Sequence, residues 1–276
     1  MSGETVVRPE ARATGPLGWD SNRNAMKIAC SSASFAREIA AGTMTQLEWL
    51  DVCANELEVD GVIFDAGQFP RADADYLAQL KKSAADLGLT VAGVAASDLF
   101  TASGAAHIER ATALGAPLAI GPAPNANDDA DAWGAFTTLA TVRAREAKRA
   151  NVTLAVRNAA GTVCTTSADL KRLAKDVDSS WLRFAGDDAR LSNDDEVRAL
   201  RPKTVIAWHA ITNFETFALA ADPEAKRLVD RLARFRGFVV LGGQATPANR
   251  GAYHAAIERF ATFRARSLDP TVYQNL

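Results

Sequence analysis

The chain of 276 residues carries 18 Gly and 10 Pro, about a tenth of its length, and 48% hydrophobic residues, which excludes a disordered or collagen-like protein and allows one substantial core. With 31 basic residues against 33 acidic the net charge is −2, so no surplus of Lys and Arg exists to neutralise a row of phosphates or to lie on an anionic membrane, and neither nucleic acid nor a membrane is an expected partner. Three cysteines, Cys30, Cys53 and Cys164, fit neither a disulfide framework nor a zinc pattern and point to the reducing cytoplasm, and no run of about 18 apolar residues marks a membrane span.

Residues 1–25 hold Arg-Pro, Gly-Pro and Gly-Trp breaks without a sustained period and read as an N-terminal tail. The domain is expected over 26–266, with 267–276 as a C-terminal tail. From Met26 onward, short β-branched and apolar runs alternate with segments of helical period. The runs are Lys27–Ser31, Gly61–Asp65, Thr90–Ala95, Pro117–Gly121, Val152–Arg157, Trp181–Ala185, Thr204–His209 and Phe238–Leu241. Between them, Met44, Leu47, Leu50, Cys53 and Leu57 form one apolar helical stripe, and Leu77, Leu80, Ala84 and Leu87 form another that Gly88 stops. Tyr253, Ala256, Ile257, Phe260 and Phe263 form a third after the last run.

Strands joined only through helices must be parallel, and eight such units in about 245 residues match an α/β fold of one domain, a closed (β/α)8 TIM barrel. In that architecture the chemistry sits where the strands end. The residues there are Ser31 and Ser32, Asp65, Ser97 and Asp98, Gly121, Arg157 and Asn158, Asp187 and Asp188, His209, and Gly242, Gly243 and Gln244.

Several stretches resemble a known family. Lys27-Ile28-Ala29-Cys30-Ser31-Ser32, Asp60-Gly61-Val62-Ile63-Phe64-Asp65 followed by Gln68-Phe69-Pro70, Ala84-Ala85-Asp86-Leu87-Gly88-Leu89-Thr90-Val91, and Ala113-Leu114-Gly115-Ala116-Pro117 are similar to the xylose isomerase-like sugar phosphate isomerases and epimerases. The resemblance runs from Met26 to about Arg264 and rests on the order and spacing of these motifs. It implies a TIM barrel holding one divalent ion by Glu, Asp, His and Glu at the ends of strands 5, 6, 7 and 8, the ion polarising substrate oxygens while the glutamates move protons. Here strand 5 ends in Arg157-Asn158 and strand 8 in Gly242-Gly243, whereas Asp187 and His209 keep the other two places.

These departures predict a degenerate metal site and no cofactor, Mn2+ or Mg2+ being the ions the resemblance would otherwise bring. Arg157 is expected to stand in for the ion, held by Asp187 and facing His209, or else to pass the rim and pair with a surface carboxylate. Of Trp208 and His209 one must face the lumen, and His209 is taken as that residue and as the acid/base, with Asp187 orienting. Asp65 and Gln244 are further polar contacts. Gly242 and Gly243 either cradle a phosphate, with Arg250 nearby, or form a plain turn. The 125–131 segment, rich in Asn and Asp, reads as a loop and helix cap over the strand 4 side. The expected ligand is a small carbohydrate or sugar acid, acted on by isomerisation or epimerisation; the alternative is a barrel that binds a ligand or partner without catalysis. A homo-oligomer, with Trp49 or Phe217 on its surface, completes the expectation.

Overall fold

The structure, a computed structural model, describes residues 26–126, 131–187, 194–219, 223–232 and 235–267. Both tails, Asp188 and the 127–130 part of the loop after strand 4 therefore lie outside the described residues. Eight parallel strands, β1 (Lys27–Ser31), β2 (Gly61–Asp65), β3 (Thr90–Ala95), β4 (Leu118–Pro122), β5 (Thr153–Arg157), β6 (Leu182–Asp187), β7 (Thr204–Ala210) and β8 (Phe238–Gly242), close into a barrel in sequence order. Closure is made by β8 against β1, Lys27 opposite Phe238 and Ala29 opposite Val240. The chain is a single-domain (β/α)8 barrel.

The helices that make the crossovers are α1 (Ala36–Ala40), α2 (Gln46–Asp51), α3 (Ala74–Asp86), α4 (Ala105–Leu114), α5 (Ala132–Arg149), α6 (Ser167–Val177), α7 (Asp194–Leu200), α8 (Phe214–Ala218) and α9 (Pro223–Arg231), and α10 (Arg250–Ser267) follows the last strand. Local chemistry sets their ends. Thr45 with Glu48 and Thr166 with Asp169 form capping boxes at the starts of α2 and α6, while Gly115 takes a left-handed conformation (φ 69°) to stop α4. The stripe from Met44 to Leu57 is not one regular helix. After Asp51 it widens to a π turn over Val52–Glu56, with Leu57 N–H bonded to the Val52 carbonyl.

Alternation along the strands divides the core in two. Ala29, Ile63, Ala92, Ile120, Ala155, Ala185, Ile206, Trp208 and Val240 pack inside the barrel, and the larger second group, including Phe64, Val94, Leu154, Phe184 and Phe217, lies between strands and helices. Trp49 and Phe217 belong to that second group and are fully buried, so the expectation that they mark an oligomer surface is corrected. Two register shifts matter. Ala92 is an extra residue in β3 and Val205 an extra one in β7, because Ile63 faces Gly93 and Ala185 faces Ile206.

Candidate functional site at the strand ends

Continuing the alternation to the C-terminal ends, the lumen-facing positions include Ser31, Asp65, Arg157, Asp187, Trp208 and Gly242, with the apolar Ala95 and Pro122 on β3 and β4. Strand order places Ser31 and Asp65 across the mouth from Arg157 and Asp187. The latter two meet: Arg157 Nη2 lies 3.3 Å from Asp187 Oδ2. The Asp187 side chain is 9% exposed, so it is no surface carboxylate, and Arg157 does not pass the rim. The guanidinium carbon stands 4.3 Å from the centre of the Trp208 ring, a stacked cation–π contact.

Trp208, not His209, faces the lumen, which corrects the sequence expectation. The Val205 bulge is the cause, since unbroken alternation from that residue would have turned 207 and 209 inward. His209 is 8% exposed on the outer side of β7, its ring 5.8 Å from Phe217 and its Nε2 3.2 Å from Glu224 on α9. Arg157 therefore faces an indole and not an imidazole. Gly242 explains how the indole fits: a Cβ there would lie 2.5 Å from Trp208 Nε1. Gly243 is equally constrained, since a Cβ would meet Phe214 at 2.5 Å, so both glycines have a packing reason.

The loops behind the mouth hold it in place. Asn158, fully buried, accepts from Asp187 N–H at 2.7 Å and donates to the Asp187 and Thr165 carbonyls at 3.2 and 3.4 Å, tying the ends of β5 and β6 together. Asp65 donates its backbone N–H to Ser32 Oγ at 2.8 Å, and its Oδ1 accepts from Gly67 N–H, 2.9 Å away, capping the following turn. Gln244 donates Nε2 to the carbonyls of Ala33 and Ser34, closing the last loop onto the first. Arg250 stands apart from the glycines, bonded to Glu38 and Glu56. After β3, His107 Nε2 lies 2.6 Å from Asp98 and Arg110 Nη1 lies 3.0 Å from His107 Nδ1, so the imidazole is held between a carboxylate and a guanidinium.

Sequence reasoning thus placed Arg157, Asp187, Asp65 and Gly242 at one mouth, missed Trp208 and Asn158 as its main supports, and put His209 on the wrong side of β7. The donor set does not suit a hard divalent ion. Of the four ligand places that the family resemblance implies, only Asp187 turns an oxygen inward, a permanent cation stands beside it, and indole fills the space over Gly242. Among the described residues no three His, Cys, Asp or Glu side chains converge.

No family model and no curated protein sequence matches the chain. Solved structures do match in shape. The 3-keto-D-glucoside 4-epimerase of E. coli superposes with a TM-score of 0.68 at 16% identity, over 87% of this chain and 99% of that one. D-psicose 3-epimerase from Clostridium cellulolyticum gives 0.65 at 16% identity over 90% and 99%, and a provisionally assigned xylose isomerase from Rhodospirillum rubrum gives 0.70 at 13% over 86% and 99%. At these identities the likeness is one of architecture alone, that of a single-domain (β/α)8 barrel.

Proposed function

We propose that the barrel takes a small carbohydrate or sugar acid at its C-terminal mouth and does so without a divalent ion, Arg157 supplying the positive charge. The observation that carries this reading is the Arg157–Asp187–Trp208 cluster. A guanidinium held against a buried indole and a carboxylate is fixed in place, and it offers paired N–H donors to a carboxylate, a phosphate or a carbonyl oxygen. The fold shared with two named sugar epimerases supports the substrate class.

If the barrel is catalytic, Asp65 is the group for proton transfer, because Asp187 is engaged by Arg157. A proton leaving the hydroxyl-bearing carbon next to a carbonyl passes to Asp65 and the electron pair moves to the carbonyl oxygen held by Arg157, giving an enediolate; the neighbouring hydroxyl proton passes to that oxygen and Asp65 returns its proton to the former carbonyl carbon, which completes isomerisation. The position of His209 favours the second reading, binding without turnover, since the imidazole expected at the mouth is absent from it.

Thermal unfolding with a panel of ketoses, aldonates and sugar phosphates, run in a chelator, tests the first claim: one of them raises the midpoint, and Arg157→Gln removes the rise. Deuterium entering that ligand from heavy water marks an enzyme, and stabilisation without exchange marks a binding protein. Stabilisation that disappears in the chelator and returns with Mn2+ or Mg2+ overturns the ion-free reading.

A further inference from the structure

The opposite, N-terminal end of the barrel carries a cleft. It has a volume of about 510 Å3 and is lined by Pro117, Leu118, Arg201, Pro202, Thr204, Val205, Phe235, Arg236, Gly237 and Phe238, which come from the starts of β4, β7 and β8 and the loops entering them. Leu118, Val205 and Phe238 belong to the barrel interior, so the floor of the cleft is the underside of the lumen. Such a volume lies within the ordinary range for small-molecule sites, roughly 300–1,000 Å3.

Two features set this end apart from a merely stabilising barrel base. The first is closure: between β1 and β2 the base is sealed, Asp60 accepting from Ile28 N–H at 2.8 Å and from Arg264 at 2.7 Å, whereas between β4, β7 and β8 it stays open with Pro117 and Pro202 exposed. The second is charge. Arg201 and Arg236 line the cleft, Lys27 Nζ stands 5.8 Å from the centre of the Phe238 ring, and Arg183 is the first lumen-facing residue of β6. Among the described residues no Asp or Glu lines it. An apolar floor ringed by cations attracts an anion with an apolar body and discriminates against a neutral analogue.

We infer that this N-terminal cleft is a binding site for a small aromatic or branched aliphatic carboxylate, its hydrophobic part against Phe235, Phe238 and Val205 and its carboxylate on Arg201 and Arg236. The site is independent of the C-terminal mouth.

Isothermal titration of the full-length protein with phenylacetate tests it, with benzyl alcohol as the neutral comparator and inorganic phosphate as the anion lacking an apolar part. Phenylacetate binds saturably and more tightly than either. Arg236→Glu, a change at an exposed side chain that leaves folding intact, weakens it about tenfold or more, as expected from replacing a charge-assisted contact by repulsion. Arg157→Gln, at the other mouth, leaves it unchanged. Equal binding of benzyl alcohol or of phosphate, absence of saturable phenylacetate binding at millimolar concentration, or loss through Arg157→Gln but not Arg236→Glu would each overturn the inference. None of these results bears on the carbohydrate reading, which the Arg157→Gln thermal measurement decides separately.

Discussion

Arg157 shows how one side chain can be legible in sequence while its partner is not. Its place at a strand end and its permanent charge followed from the order of residues; what it stacks on did not. Gly242 was the available clue, because a glycine facing the lumen leaves a volume that a bulky neighbour fills, and Trp208 does so. Gly242→Ala is expected to push the indole aside, cost about 1–3 kcal/mol in urea unfolding through overpacking, and diminish the ligand-induced rise in midpoint. His209→Gln separates the two faces of β7: unfolding shifts to lower denaturant because the contacts with Phe217 and Glu224 change, while carbohydrate affinity stays within about twofold, since nothing in the lumen is altered. A large loss of affinity with unchanged stability would return His209 to the site.

At the scale of elements, most boundaries agreed with the expected runs to within a residue or two, because β-branched stretches, capping residues and glycine stops are local signals. The π turn after α2 and the bulges in β3 and β7 were not legible, since each depends on how an element meets its neighbour. The Thr166–Asp169 capping box yields a test of local energetics. Burial alone would raise the Asp169 carboxyl, but N–H and hydroxyl bonds from Thr166, an N–H bond from Thr165 and the charge of Arg172 hold it below the usual aspartate range. A depressed folded value adds stability above the unfolded pKa of about 4 and loses it as pH falls through the folded one. Asp169→Asn therefore flattens the acid limb of a plot of urea midpoint against pH, by under about 1 kcal/mol because the group is only half-buried and solvent screens its contacts. Thr166→Ala is expected to cost about 1 kcal/mol at neutral pH.

Across the whole molecule, the closed barrel and its helical layer bury all three cysteines as free thiols. Burial, with Asp169 nearby, pushes Cys164 up to about 12, and burial beside Cys30 pushes Cys53 up as well. Thiolate is the reactive form, so an aromatic disulfide reagent at pH 8 is expected to titrate no thiol in the native protein and all three only along the global unfolding transition. Early reaction of one cysteine would reveal local opening of β1, the π turn after α2 or the loop after β5.

The sequence by itself determined the repeated strand–helix unit, the count of eight and the polar residues that end the strands, because each of these follows from periodicity and local stop signals within one unit. Only the tertiary structure decided which of those residues share the lumen. Facing is set by register between neighbouring strands, and a single inserted residue in β7 exchanges an indole for an imidazole at the mouth. The cleft at the other end was undecided for the same reason, since Pro117, Arg201 and Arg236 come from separate units that meet only when the barrel closes.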